Sequence, residues 1–300
     1  FMDDHMFQQE DEITKGELSA VASRIVLKVL YTSRMGRPDT LWSVNSLARS
    51  VTKWNVKCDK RLHRLISYIN ETKDWCQLCF VGDKPEDCWL ALFGDASFAG
   101  DLEDSKSTTG SYLCLVGPRT FVPITWLCKN QGATSHSSSE AEVIALDAAI
   151  RTDGIKSVIL WESILEVFSG KSPTKENEAK AVSIWEDKAI EQHTKDILLG
   201  VDYVPCSLPK SKGTGKLVVF EDNESVIKMT IKGRSPNMQH CPRTHRVDLD
   251  WLFERMQTDP AIFMRYVGTK EQIADIFTKG SFTGEQWLNL CRLAQIGAPS

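Results

Sequence analysis

Between residues 89 and 130 three short runs rich in Leu, Val, Phe and Trp follow one another, separated only by Gly and Pro punctuation. Trp89–Phe98, Ser111–Gly117 and Val122–Cys128 are each of strand length, and three in succession predict an antiparallel meander. The period then changes. Val143, Leu146, Ile150, Val158, Leu165 and Phe168 recur at helical spacing through residues 137–168, with a break expected at Gly154. Further on, Lys216–Phe220 and Ile262–Val267 read as two more strands, and Asn223–Ile231, Thr244–Met256 and Lys270–Phe277 as helices. This order predicts the α/β class: a five-stranded mixed sheet with helices on both faces.

The flanks are different. Residues 1–88 are mostly helical in pattern, through Leu41, Val44, Leu47, Ala48 and Val51, then Leu62, Leu65, Ile66 and Ile69. Asp59 stands where an N-cap would open the second of these helices. Arg49, Lys53, Lys57, Lys60, Arg61 and Arg64 make residues 49–64 basic, and the four-residue spacing of Arg49, Lys53 and Lys57 would put them on one helical face. Such a face is either solvated surface or a contact for phosphates. Residues 169–215 are polar and bounded by Ser, Gly and Pro, the composition of an insertion or linker. Residues 282–296 carry Phe282, Trp287, Leu290 and Leu293, an amphipathic terminal helix. The expected organisation is therefore 1–88, 89–280 with 169–215 inserted, and 281–300.

Composition narrows the class. The 300 residues carry a formal charge of −4, which excludes a surface that is basic throughout but not a local basic patch. Mean hydropathy is −0.25 and no apolar run approaches the roughly 18 residues of a membrane span. Nine cysteines in no framework, with no signal peptide ahead of them, point to a reducing intracellular compartment, cytoplasmic or nuclear. A chain that begins Phe1-Met2-Asp3-Asp4 reads as an internal piece of a longer reading frame.

Four carboxylates stand where an ordinary role is strained. Asp95 lies within the apolar run Leu90-Ala-Leu-Phe-Gly-Asp95-Ala, where burial is costly unless the charge is paired or holds a metal. Asp222 ends the run Leu217-Val-Val-Phe-Glu-Asp222, at the sheet edge where α/β proteins bind ligands. Glu142 lies near the start of the long helix, and Asp275 among Ile273, Ala274, Ile276 and Phe277. Singly, each can cap a helix or face solvent; together they are the oxygen-rich set that two hard cations about 3.5–4 Å apart require. Glu140 competes with Glu142, since residues two apart are about 200° around a helix and only one can face a site. Ser137-x-x-Glu140 fits a capping box, while Glu142 followed by Ala145 and Ala149 suits close approach to a sheet.

Gly94-Asp95-Ala-Ser-Phe-Ala-Gly with Ser105-Lys106-Ser-Thr-Thr-Gly110, Ser137-Ser-Ser-Glu-Ala-Glu142, Glu221-Asp222-Asn-Glu-Ser and Gln272-Ile-Ala-Asp275-Ile-Phe-Thr-Lys279 occur in that order. They resemble the four motifs of the ribonuclease H domain in copia-type LTR retrotransposon Pol polyproteins. Arg37-Pro38-Asp39 and the stretch from Arg64 through Tyr68 to Thr72 resemble the tail of the preceding reverse transcriptase, its thumb or connection region. The resemblance implies a ribonuclease H-like fold and hydrolysis of the RNA strand of RNA–DNA hybrids. Asp95, Glu142, Asp222 and Asp275 would hold two Mg²⁺ ions, or Mn²⁺, and the partners would be the hybrid and the rest of a Pol polyprotein. The contact set for nucleic acid would be Arg49, Lys53, Lys57, Arg61, Arg64, Ser105 and Lys106. Strand choice would come from 2′-hydroxyl contacts rather than base reading.

Some residues depart from this picture. The loop Val267-Gly-Thr-Lys-Glu-Gln-Ile lacks the histidine that cellular enzymes of the fold carry there; His240 and His245 lie upstream, as structural residues or substrate contacts. Phe1-Met2-Asp3-Asp4 imitates a polymerase signature, but Arg37-Pro38-Asp39 follows far too closely for polymerase chemistry. Cys76, Cys79 and Cys88 lack a second ligand pair for a structural zinc. The rival readings are a catalytically silent or domesticated fragment that binds nucleic acid, and an integrase-like strand transferase.

Overall fold

The computed structural model describes residues 6–99, 105–169, 209–233, 238, 240–245 and 247–299. Five strands form one mixed sheet: β1 (Trp89–Ser97), β2 (Thr108–Gly117), β3 (Thr120–Asn130), β4 (Leu217–Glu221) and β5 (Ile262–Tyr266). Their order is β3-β2-β1-β4-β5. The first three pair antiparallel, whereas β4 lies parallel to β1 and β5 parallel to β4. The meander read from residues 89–130 is present, with β2 and β3 longer than their apolar runs. Pro123 sits on the outer strand, where a missing N–H is tolerated, beside the register shift between Leu113 and Cys114.

Alternation along β1 divides the core. Leu90 and Leu92 face one side, with Val143, Leu146 and Ile150 from α4 (Ser138–Ala149) and its continuation, and Ile155 and Val158 from α5 (Ile155–Phe168). The two helices are joined by a π-helical turn, Ile150–Gly154, where the sequence predicted a break. At Gly154 a Cβ would come within 3.1 Å of both Leu92 and Leu217 side chains, so glycine lets the helix turn close onto the sheet. α6 (Glu224–Lys232) and α7 (Leu249–Thr258) complete this layer with Val226, Leu252 and Phe253.

Ala91, Tyr112 and Cys114 face the other side, where they meet Ile276 and Phe277 of α8 (Asp275–Thr278), Leu290 of α9 (Gly284–Leu293) and the N-terminal helices. α1 (Ala22–Met35), α2 (Leu41–Arg49) and α3 (Val56–Glu71) contribute Val26, Val44, Leu47, Leu62 and Leu65 to this shared core. The Arg37-Pro38-Asp39 motif acts here. Arg37 donates to both Asp39 oxygens and to Thr72, Tyr68 donates to Asp39 at 2.8 Å, and Trp287 of α9 donates to the Tyr68 hydroxyl at 3.2 Å. A buried charge pair with every partner supplied ties α3 to α9.

Two readings of the N-terminal region change. Asn55, not Asp59, caps α3, its side chain accepting from the Cys58 N–H. Asp59 is buried one turn in, accepting from the backbone of Glu17 and from Trp54 Nε1, both at 2.6 Å. Arg49, Lys53 and Lys57 do not share a helical face, because α2 ends at Arg49 and α3 begins only at Val56. Lys57 and Arg61 do share a face of α3, and the acidic N-terminal segment covers it: Lys57 pairs with Glu12 at 2.8 Å, and both cations lie over the Phe7 ring. Periodicity carries through the six-residue turn because Val51 and Trp54 still pack inward.

The predicted insertion lies outside the described residues except at its end. There Glu162 of α5 accepts from the N–H groups of Lys212, Thr214 and Gly215, and Asp259 binds the Ser211 hydroxyl and N–H. The helix predicted over Lys270–Phe277 is also shorter: a 3₁₀ turn at Thr269–Glu271 precedes α8. α8 lies so close to β2 that a Cβ at Gly110 would meet Thr278 Cγ2 at 2.6 Å and Phe277 Cβ at 2.9 Å. Gly110→Ala should therefore destabilise the protein by about 1–3 kcal/mol, measured by urea unfolding. A neutral effect would show that α8 does not sit on the strand.

Candidate metal-binding carboxylate site

Asp95 owes its place to two things: β1 is buried on both faces, and its C-terminal end lies beside that of parallel β4. Leu90 pairs with Leu217 and Phe93 with Phe220; two steps further the same register sets Asp95 beside Asp222. Asp95 is 2% exposed, and the Thr278 hydroxyl donates to its Oδ2. Glu142 reaches the same edge from α4, held by the Ala96 N–H, which donates to Oε2 at 2.8 Å. Ala96, Ala141 and Ala145 pack together, so small side chains let α4 approach β1 closely enough for that bond. Each of Asp95, Glu142 and Asp222 offers an oxygen within 4.8 Å of the others.

Asp275 approaches from the opposite face at the start of α8, where its Oδ1 accepts from Lys279 Nζ at 2.5 Å, one helical turn on. Gln272 braces the loop before it, donating to the Gly94 carbonyl at 2.9 Å.

The electrostatics are those of buried carboxyl groups crowded together. Burial pushes Glu142 up to about 10, with Asp95 the largest charged contributor, then Glu221 and Asp222. Burial and then Asp95 raise Asp275 to about 7, against the pull of Lys279. Asp95 is raised by burial despite Lys279 and Thr278. Glu221, 1% exposed and adjacent to Asp222, rises to about 8, mainly through burial. Carboxyl groups this close cannot all ionise unless a positive charge joins them. The donor set consists of oxygen alone on rigid elements, which fits a hard divalent ion such as Mg²⁺ rather than a soft one.

A pH dependence follows. Each raised carboxyl binds its proton more tightly folded than unfolded, where carboxyls titrate near pH ~4. Stability from the site is thus complete below about pH 4 and is lost as pH rises toward the folded values. Glu142→Gln removes one such group, so its melting temperature in chelator should fall less than wild type's between pH 5 and 8. Parallel melting curves across that range would contradict the cluster.

Glu140 points elsewhere, as the 200° rotation requires. Ser137 caps α4 by accepting the Glu140 N–H at 3.1 Å, but the Glu140 carboxylate accepts from His136 N–H rather than closing a capping box with Ser137. Its Oε1 accepts from the Nε2–H groups of His240 and His245, at 3.1 and 2.9 Å. Burial would raise Glu140, but the His136 N–H and the two imidazoles outweigh it and hold the group below the ordinary range.

The nucleic-acid set is dispersed. Lys53 and Arg64 are exposed; Ser105 and Lys106 lead into β2, Ser105 with a positive φ of 53°. Arg49 lines a shallow cavity with Trp42, Asn45 and Lys129. Arg64 and Lys279 line one groove with Trp42 and Trp287, directly beside Asp275. Among the described residues, the groups of three or more converging metal-ligand side chains include none of Cys76, Cys79 and Cys88. Phe1-Met2-Asp3-Asp4 lies outside the described residues.

The chain is 30% identical over 268 residues to the retrovirus-related Pol polyprotein from transposon TNT 1-94 of Nicotiana tabacum, covering 88% of this chain and 16% of that protein. The chain is similar to the Pol polyproteins of plant transposons. A second relative, the retrovirus-related Pol polyprotein from transposon RE2 of Arabidopsis thaliana, is 32% identical over 111 residues, 35% of this chain and 7% of that protein. This chain thus spans about a sixth of the length of the first Pol relative. No protein-family profile matches it. Among the described residues no helix is long and apolar enough to cross a membrane.

Four residues near the carboxylates were not singled out in the sequence as parts of the site: Glu221, Gln272, Thr278 and Lys279. Lys279 carried a readable signal, since a cation four residues after Asp275 on a helix faces it. Gln272 and Thr278 stand in the motif around Asp275, but no local pattern gave them a role, because their partners Gly94 and Asp95 are distant in sequence.

Proposed function

We propose that this chain is the ribonuclease H portion of a retrotransposon-type Pol polyprotein and hydrolyses the RNA strand of RNA–DNA hybrids. The observation that carries the reading is the convergence of Asp95, Glu142 and Asp222 at the C-terminal edge of the parallel pair β1 and β4. The strand order and the similarity to Pol polyproteins support it.

Asp95, Glu142 and Asp222 would hold one side of a divalent-ion site and Asp275 the other. Bound Mg²⁺ supplies activation of water at neutral pH and stabilisation of the departing 3′-oxygen. The chain's own residues prepare the site. Ala96 N–H and the Thr278 hydroxyl fix one oxygen each on Glu142 and Asp95, so those carboxylates lose little freedom when a cation arrives. Lys279 offsets part of the negative charge on Asp275 and is more than a third exposed, in reach of a phosphate as well. The groove with Arg64 continues that cationic path toward α3. These contacts go to the backbone and confer little sequence preference.

The test is cleavage of end-labelled RNA in three settings: paired with DNA, paired with RNA, and single-stranded, each with Mg²⁺. Cleavage confined to the RNA strand of the hybrid supports the reading. Joining of DNA ends would support a strand transferase instead. Binding without cleavage would leave a silent nucleic-acid-binding fragment and overturn the proposal.

A further inference from the structure

We propose that Glu140, His240 and Cys241 form a second metal site, selective for Zn²⁺ over Mg²⁺, that clips the segment after α6 to the start of α4. A carboxylate oxygen, an imidazole nitrogen and a thiol sulfur from these residues all lie within 4.8 Å of one another. In tetrahedral zinc sites with bonds of about 2.0–2.3 Å, ligand atoms stand roughly 3.3–3.8 Å apart. His240 Nε2 and Glu140 Oε1 are already 3.1 Å apart, so the ion needs only a small outward movement, with the shared proton displaced from Nε2 and the Cys241 thiol proton released to solvent. Sulfur and imidazole donors distinguish this set from the all-oxygen cluster around Asp95, because soft ligands select zinc and reject magnesium.

The surroundings hold these ligands in place. His245, whose side chain is 1% exposed, donates from Nε2 to the same Glu140 oxygen at 2.9 Å and so orients the carboxylate from behind. His136 N–H holds Oε2 at 3.1 Å, and the His136 ring stands edge-on to His240, centroids 4.9 Å apart. Cys241 is fully buried, whereas His240 is partly exposed and borders a cavity with Ser137, Ser225 and Met229. A fourth ligand position would open toward that cavity. The clip begins two residues before Glu142, so it would fix the end of α4 that carries the hydrolytic carboxylate. It does not depend on the nuclease reading.

Cobalt substitution tests it directly. The whole protein, stripped with chelator under reducing conditions, is titrated with Co²⁺ and then Zn²⁺. The expected result is a thiolate-to-cobalt charge-transfer band that saturates with about one equivalent of Co²⁺ per chain at this site, bleached by Zn²⁺ and untouched by Mg²⁺. His240→Gln, at a partly exposed position that should fold, should weaken binding at least about tenfold, and Cys241→Ser should remove the charge-transfer band. Asp95→Asn should leave the band unchanged. Absence of the band in wild type, or its persistence in Cys241→Ser, would overturn the proposal, the latter by assigning the sulfur to another cysteine.

Discussion

Glu142→Gln should reduce Mg²⁺-dependent cleavage of hybrid RNA by more than about a hundredfold while raising the melting temperature of the metal-free protein at pH 8. Loss of a residue that only supports a metal ligand typically costs 10–100-fold, and a direct ligand should cost more. The stability gain has the opposite sign because Glu142 is pushed up to about 10 by burial and by Asp95. At pH 8 the folded group keeps a proton that the unfolded carboxyl has already lost, a folding cost that Gln does not carry, and each kcal/mol of it removed is worth roughly 2–4 °C. Glu140→Gln should behave in reverse: less stable, because two histidines lose a charged acceptor, yet still able to cut when folded. If Glu140→Gln lost cleavage and Glu142→Gln kept it, the assignment of the two glutamates would be wrong.

Phe277→Ala should lower stability by about 3–5 kcal/mol, the cost of a large aromatic cavity. Phe277 is fully buried, and its ring stacks on Tyr112 of β2 with centroids 6.1 Å apart. α8 is only four residues long, so helix propensity cannot hold it; the Phe277 contact does. Because Asp275, Thr278 and Lys279 ride on the same short helix, the folded variant should also lose cleavage. Chemical denaturation followed by hybrid cleavage at a temperature where the variant is folded checks both halves. A fall below 1 kcal/mol would mean that α8 is anchored elsewhere.

How much of this was legible in the sequence varies by element. The five strands were readable because each is a short apolar run, and β1, buried on both faces, leaves Asp95 conspicuous. Asp222 was readable as the end of such a run, and Glu142 as the glutamate with alanines on its face. Ends of elements were less readable: β2 begins at Thr108 through polar residues that pair with Asn130 and Lys129 although no apolar pattern marks them. Asp59 shows the limit of capping rules, since an aspartate near a helix start served Trp54 and the Glu17 backbone instead. The basic face over Arg49, Lys53 and Lys57 failed because spacing of four implies a shared face only within one helix. Glu140 illustrates the remaining gap: its partners His240 and His245 are a hundred residues away, and no local pattern encodes that meeting.

In the proposed function, Asp95 anchors a divalent-metal site that cuts RNA paired with DNA. The most direct measurement is the rate at which purified wild type and Asp95→Asn cleave the labelled RNA strand of one hybrid as Mg²⁺ is titrated. Saturable, Mg²⁺-dependent cleavage by wild type and none by Asp95→Asn is the predicted result. Equal rates in the two proteins, or no cleavage by either at any Mg²⁺ concentration, would contradict it.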